Sequence, residues 1–291
     1  MSLYDLLVDP FVQFAFMRRA LVACLALALG CGPVGVLLML RRMSLMGDAL
    51  SHAILPGVAV AFLLAGFSLP AMTLGGFVAG LVVAVLTGTL SRVTLLKEDA
   101  SFASFQLIAL ATGVLIVSTH GGSVDLLHLL FGSVLAVDDH ALLLTASIAS
   151  LSLVVLALLY RPLVMDSFDP AYLRGQGGYR GVWQTLFLSL VAMDLVAGFQ
   201  SLGAMMAVGM MMLPAIASRF WVRDLWRMMG VAILLALLSG FVGLVLSFHY
   251  QLPSGPAIIL TAGMLHFLSL LFGPLGVVSA RFGRVGEHRR G

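Results

Sequence analysis

Apolar runs long enough to cross a bilayer recur along almost the whole chain, and short clusters of arginine separate them. About 20 such residues span the ~30 Å hydrocarbon core as a helix, and a backbone in lipid must satisfy its own hydrogen bonds. The pattern predicts an all-α polytopic membrane protein with eight or nine transmembrane helices, a re-entrant outer segment and a short cytoplasmic helix. Expected spans lie at about 20–40, 46–66, 70–91, 101–118, 141–159, 182–199, 204–218 and 229–249, with a last span that carries His266. Of 291 residues, 61% are hydrophobic and 10% charged, against about 25% charged in a soluble domain. The net charge of +3 and pI of about 9.2 do not imply nucleic acid. The basic residues sit between spans, as the positive-inside rule expects.

That rule puts the odd-to-even connections in the cytoplasm, with the N-terminus outside and the C-terminus inside. Arg18 and Arg19 break the scheme, because they fall on the outer side of the first span. They also imitate the start of a signal peptide, but the apolar run continues to Leu40, longer than a cleaved segment. Cys24 and Cys31 lie seven apart on one expected helix, about 10 Å along its axis, too far for a mutual disulfide. They are expected to be packing residues. The chain is read as one transmembrane domain, 1–291. It has a single lysine, Lys97, and no Gly-x-x-x-x-Gly-Lys sequence, so any ATP-driven motor belongs to another polypeptide.

Two connections carry unusual chemistry. From His120 to His140 the chain holds His120, Asp125, His128, Asp138, Asp139 and His140 around an apolar piece too short to cross. It reads as a partly re-entrant segment at an outer mouth, where His120 and His128 are either metal relays or an ordinary polar collar. From Arg161 to Gly181 runs the longest polar connection. Asp169 followed by Pro170 reads as a cap and first helical residue; Ala171, Tyr172, Leu173 and Arg174 make one short turn, and Gly175 closes it. A stubby helix that docks on a partner and a plain loop are both open readings.

The sharpest feature is Asp48 and His52, one and two turns into an otherwise apolar span that begins after Arg41-Arg42. Four residues apart, they share one helix face. A charge at that depth costs at least ~2.5–3.5 kcal/mol, so the pair is expected to face protein or a wet path. Carboxylate oxygen with imidazole nitrogen is a common ligand set for divalent transition metals. Two plainer readings stand beside it: the pair satisfies itself, or Asp48 caps the helix start. Asp194 and His266 are further ionisable groups inside spans. They are expected to pair with each other across helices, or else to supply an extra ligand or a proton path.

The stretch from Arg41 to Gly57 resembles the signature of the zinc/manganese-type permeases of ATP-binding-cassette importers. Similar matches are Phe131-Gly132, the Gly- and Pro-containing stretch Gln200 to Ala217, and the turn Pro253-Ser254-Gly255-Pro256. The resemblance implies that Asp48 and His52 are the metal ligands and that Asp169 to Gly175 form the coupling helix touching the ATPase. It further implies a permease in the bacterial plasma (inner) membrane, not an enzyme, with separate ATPase subunits, an extracytoplasmic metal-binding protein and membrane lipid as partners.

One copy supplies one carboxylate and one imidazole, too few to strip and hold a metal. Two copies about a two-fold axis supply four ligands, a set suited to zinc. The expected substrate is therefore zinc(II) or manganese(II), with zinc favoured by its nitrogen donors and no permanently bound cofactor. The alternatives are a proton-coupled secondary metal transporter or channel without an ATPase, and a membrane metalloenzyme. The latter is disfavoured because no His-Glu-x-x-His sequence occurs and the second span has no glutamate.

Overall fold

A short helix, α1 (Asp9–Gln13), leads into α2 (Ala15–Leu40), the most deeply enclosed span of the bundle. Ala20, Ala23, Ala28, Gly30, Gly32 and Gly35 let its neighbours approach closely. Those neighbours are α7 (Asp139–Phe168), α8 (Arg180–Leu202), α9 (Ala204–Ser218) and α10 (Leu225–Tyr250). A Cβ added at Gly35 would fall on the backbone oxygen of Met211 in α9. Cys24 and Cys31 are free thiols buried on the same helix, as expected of packing residues. A computed structural model describes residues 4, 7–93, 98–120, 137–168 and 180–279, and these hold helices and turns with no strand.

The second span is broken rather than continuous. Helix α3 (Ser44–Ala53) ends at Ile54 and α4 (Leu55–Ala65) follows at once. Pro56 is the cause: it has no N–H to give the carbonyl of His52, four residues back. Around the break, Ile54 N–H still reaches Leu50 O at 3.1 Å and Val58 N–H reaches Ile54 O at 3.1 Å. Helix α4 then crosses α5 (Leu69–Val93) backbone to backbone. A Cβ at Gly57 would land on the carbonyl oxygen of Gly75, and one at Gly75 would meet that of Gly57 at 2.5 Å. Helix α6 (Glu98–His120) packs on α3, α4 and α5, and α11 (Ser254–Phe272) packs on α9 and α10.

Among the described residues, eight helices are long and apolar enough to cross a membrane, with α3 and α4 counted as one span. Helix α9 is a ninth apolar segment of 15 residues, ~22 Å at 1.5 Å per residue. It turns back on α8 through Gly203, whose φ of 99° lies in the glycine-favoured region. Gly198 and Ala207 face each other across that turn.

Helix α2 runs alongside α7, tied to it at both ends. At one end Arg19 Nε sits 2.8 Å from Asp139 Oδ1, an exposed pair at the start of α7. Arg18 donates to the carbonyl of Val12 at 3.3 Å. At the other end Arg41 Nη1 lies 3.1 Å from Asp166 Oδ2, with both side chains buried. Breaking one partner of such a buried pair typically costs ~3–5 kcal/mol. The pair also corrects the expected loop from Arg161, because α7 continues through Pro162 to Phe168. Its last turns are held by Arg41 instead of ending in solvent. Residues 121–136 and 169–179 lie outside the described residues. So do the expected re-entrant segment with His128 and the short turn Asp169 to Gly175.

The α4–α5 contact leaves no room for a side chain at its crossing. Gly57→Val is expected to lower the yield of folded, monodisperse protein by forcing the helices apart, a cost of at least ~1–3 kcal/mol. Gly230→Ala, where a Cβ meets nothing within 4 Å, should leave it unchanged; thermal unfolding in detergent checks both.

Candidate metal site

Helix α3 begins three residues after α2 ends, and the joint is tight. Met43 N–H reaches Leu38 O and Arg42 N–H reaches Met39 O, both at 3.0 Å, with Arg42 in the left-handed region at φ 59°. That is a Schellman stop with arginine where glycine is usual. From there one face of α3 is committed to packing: Met46, Gly47, Ala49, Leu50 and Ala53 are buried against α6, α8 and α9. A Cβ at Gly47 would already touch Leu38 and Met212.

The opposite face carries Leu45, Asp48 and His52, at the three- and four-residue intervals that align on a helix. Leu45 is 76% exposed, and the Asp48 and His52 side chains are 57% and 26% exposed. In an apolar bundle that is a face left open by one copy of the chain. Asp48 does not cap the helix, since Met43 stands at the cap position without a side-chain bond. The hydroxyl of Ser51 donates to the main-chain oxygen of Asp48 at 2.7 Å and leaves the carboxylate free of it.

Asp48 Oδ1 and His52 Nε2 are 3.7 Å apart. That is longer than a hydrogen bond and short enough for both atoms to turn onto a single ion. His52 Nδ1 is buried without a hydrogen-bond partner, a condition it shares with His266 Nδ1. The Pro56 break lies immediately beyond, so the His52 carbonyl also lacks its usual helical donor. Among the described residues no group of three or more His, Cys, Asp or Glu side chains gathers in one chain. One copy therefore offers an oxygen and a nitrogen on an open face.

The other candidates sit elsewhere. Asp194 does not pair with His266, contrary to expectation. Its carboxylate accepts a hydrogen bond from Ser152 Oγ at 2.9 Å and packs beside Gly30 of α2, fully enclosed by α2, α7 and α8. His266 lies on α11, which packs against α9 and α10. Its ring makes edge contacts with Phe220 and Phe267, both at 5.9 Å between centroids. Helix order separates the two residues, a fact no local pattern reveals. Asp138 caps α7 by accepting the Ala141 N–H at 2.7 Å. With His140 it lines a mostly apolar cavity of ≈ 910 Å³ between α5, α7 and α8. Asp48 and His52 are not part of that cavity. The side chain of His120, like His128, lies outside the described residues.

Residues 13–273 match the ABC 3 transport family. The chain is 34% identical to the manganese import system permease protein ScaB of Streptococcus parasanguinis, over 92% of this chain and 94% of that one. It is 32% identical to the manganese transport system membrane protein MntC of Halalkalibacterium halodurans, over 95% and 94%. The fold superposes on a chain of PsaBC from Streptococcus pneumoniae, solved in complex with Fab, with a TM-score of 0.84 and 28% identity over 94% and 97% of the chains. The chain belongs to the ABC 3 transport family. It is the membrane permease component of an ATP-binding-cassette transporter, a multi-pass protein of the bacterial plasma membrane.

If the open acid–imidazole face is the binding site, Asp48→Asn should lower manganese retained by purified protein by at least about tenfold, since a neutral amide replaces the charged ligand. Asp194→Asn, in its closed pocket, should leave retention within about twofold. Elemental analysis after desalting distinguishes the two.

Proposed function

We propose that this permease imports a divalent first-row transition metal, held as passing substrate by Asp48 and His52 from each of two copies. The observation that carries the reading is the 3.7 Å acid–imidazole pair on an otherwise apolar, open helix face. Two such faces about a two-fold axis give two carboxylates and two imidazoles, and the two negative charges balance a divalent cation. The filled site is then far less costly in low dielectric than separated charges.

Manganese is the favoured substrate. The preference for zinc drawn from ligand type finds no support in the relatives, which are named for manganese or, in two cases, for iron. Two carboxylates that each bind through both oxygens, with two imidazoles, reach the six ligands manganese prefers. Metal arrives from an extracytoplasmic binding protein, and separate ATPase subunits act on the segment Asp169 to Gly175. Their closure changes which side the axis opens to. Membership of the ABC 3 transport family favours this scheme over a secondary transporter driven by protons.

The Pro56 break gives α3 a mechanical independence that an unbroken span would lack. The half carrying Asp48 and His52 tilts while α4 stays locked to α5 through Gly57 and Gly75. In proteoliposomes that contain the complete transporter, His52→Ala is expected to reduce ATP-dependent manganese uptake to background while the complex still assembles. Uptake at the wild-type rate would refute the ligand assignment.

A further inference from the structure

One side chain joins the metal-bearing helix to the end of α7, and it does so with more contacts than anchoring a surface arginine requires. Arg41 closes α2 three residues before α3 begins. Besides its 3.1 Å contact with Asp166, its Nε donates to Ser167 Oγ at 2.9 Å and its Nη2 to the carbonyl of Leu163 at 2.9 Å. Its guanidinium carbon lies 4.3 Å from the ring centre of Phe187 in α8. Three polar atoms on the last two turns of α7 are therefore gripped by one planar group, and the grip is closed off by an aromatic face.

Both sides of this grip are stiff. On one, Ser167 Oγ donates to Leu163 O at 2.6 Å, so the gripped atoms are themselves cross-braced. On the other, the joint from Arg41 to Met43 is locked by its two 3.0 Å hydrogen bonds and the left-handed Arg42. From Arg41 it is seven residues to Asp48. From Ser167 it is two residues to Asp169, where the segment proposed to meet the ATPase starts.

We propose that Arg41 is a positioning residue that carries displacement of the cytoplasmic end of α7 into α3 and so into Asp48 and His52. The inference rests on the metal-import reading above. A planar fork with several fixed donors transmits rotation as well as translation, whereas a single point charge on a flexible stem does not. The contacts of Arg41 described above are to Leu163, Asp166, Ser167 and Phe187, none of them Asp48 or His52. The effect of Arg41 is on the linkage between motor and site, at a discrete packed contact.

The test uses the complete transporter in proteoliposomes, with manganese as the probe and Arg41→Lys as the variant. Lysine keeps the charge against Asp166 but loses the contacts to Ser167 and Leu163. The expected result is ATP hydrolysis and equilibrium manganese binding each within about twofold of wild type, with manganese moved per ATP reduced at least about tenfold. Asp166→Asn should lower the same ratio, since it weakens the grip from the other side. If Arg41 only holds the fold together, uptake and hydrolysis fall in step with the amount of assembled complex. The ratio then stays at its wild-type value, and that result overturns the proposal. Failure of both variants to assemble also counts against it, because the contact is then structural. Retained uptake by His52→Ala, in contrast, would sink the metal-site reading and leave the Arg41 measurement to be judged separately.

Discussion

A carboxylate or cation that faces hydrocarbon costs several kcal/mol, and the interior of this bundle is organised around avoiding that cost. Asp194 is met by Ser152 and Asp166 by Arg41, while the exposed Asp139 pairs with Arg19 at the bundle's edge. Each of these acids joins two helices, so satisfying it also sets which helices are neighbours. Asp48 and His52 are treated differently. They lie on one helix 3.7 Å apart, longer than a hydrogen bond, on a face that also exposes Leu45. A polar pair kept open at that place makes physical sense when a second copy and a cation complete it.

The same logic accounts for the glycines around the site. Helix α4 is fixed to α5 by a backbone crossing at Gly57 and Gly75, and α2 to α9 at Gly35. These contacts hold a frame around α3, which has a proline break on one side and a three-residue joint on the other. The short helix between them has defined ends, one face packed into the frame and Asp48 and His52 on the other.

Much of this was legible in the amino-acid order. Span positions followed from apolar length, and the acid–imidazole pair announced itself because nothing else in the second span is ionisable. The break after His52 was not anticipated, although Pro56 was in plain view. A proline two residues into a resumed helix looks the same in sequence as one tolerated in a continuous span. Partners far apart in the chain were beyond reach. Arg41 and Arg42 are indistinguishable as a basic pair, yet one is buried on Asp166 and the other occupies the left-handed turn. Asp194 was assigned to His266 on chemical complementarity, but helix order gave it Ser152. Arg19 likewise finds its partner only in Asp139, which lies 120 residues further on.

The account stands on one ion shared by two copies. The most direct measurement is the anomalous scattering of manganese in crystals of the assembled transporter. One peak per pair of permease chains is predicted, on the two-fold axis, within about 2.0–2.4 Å of the Asp48 carboxylate and a His52 ring nitrogen of each copy. A separate peak in each chain away from the axis, or one beside Asp194, would contradict it.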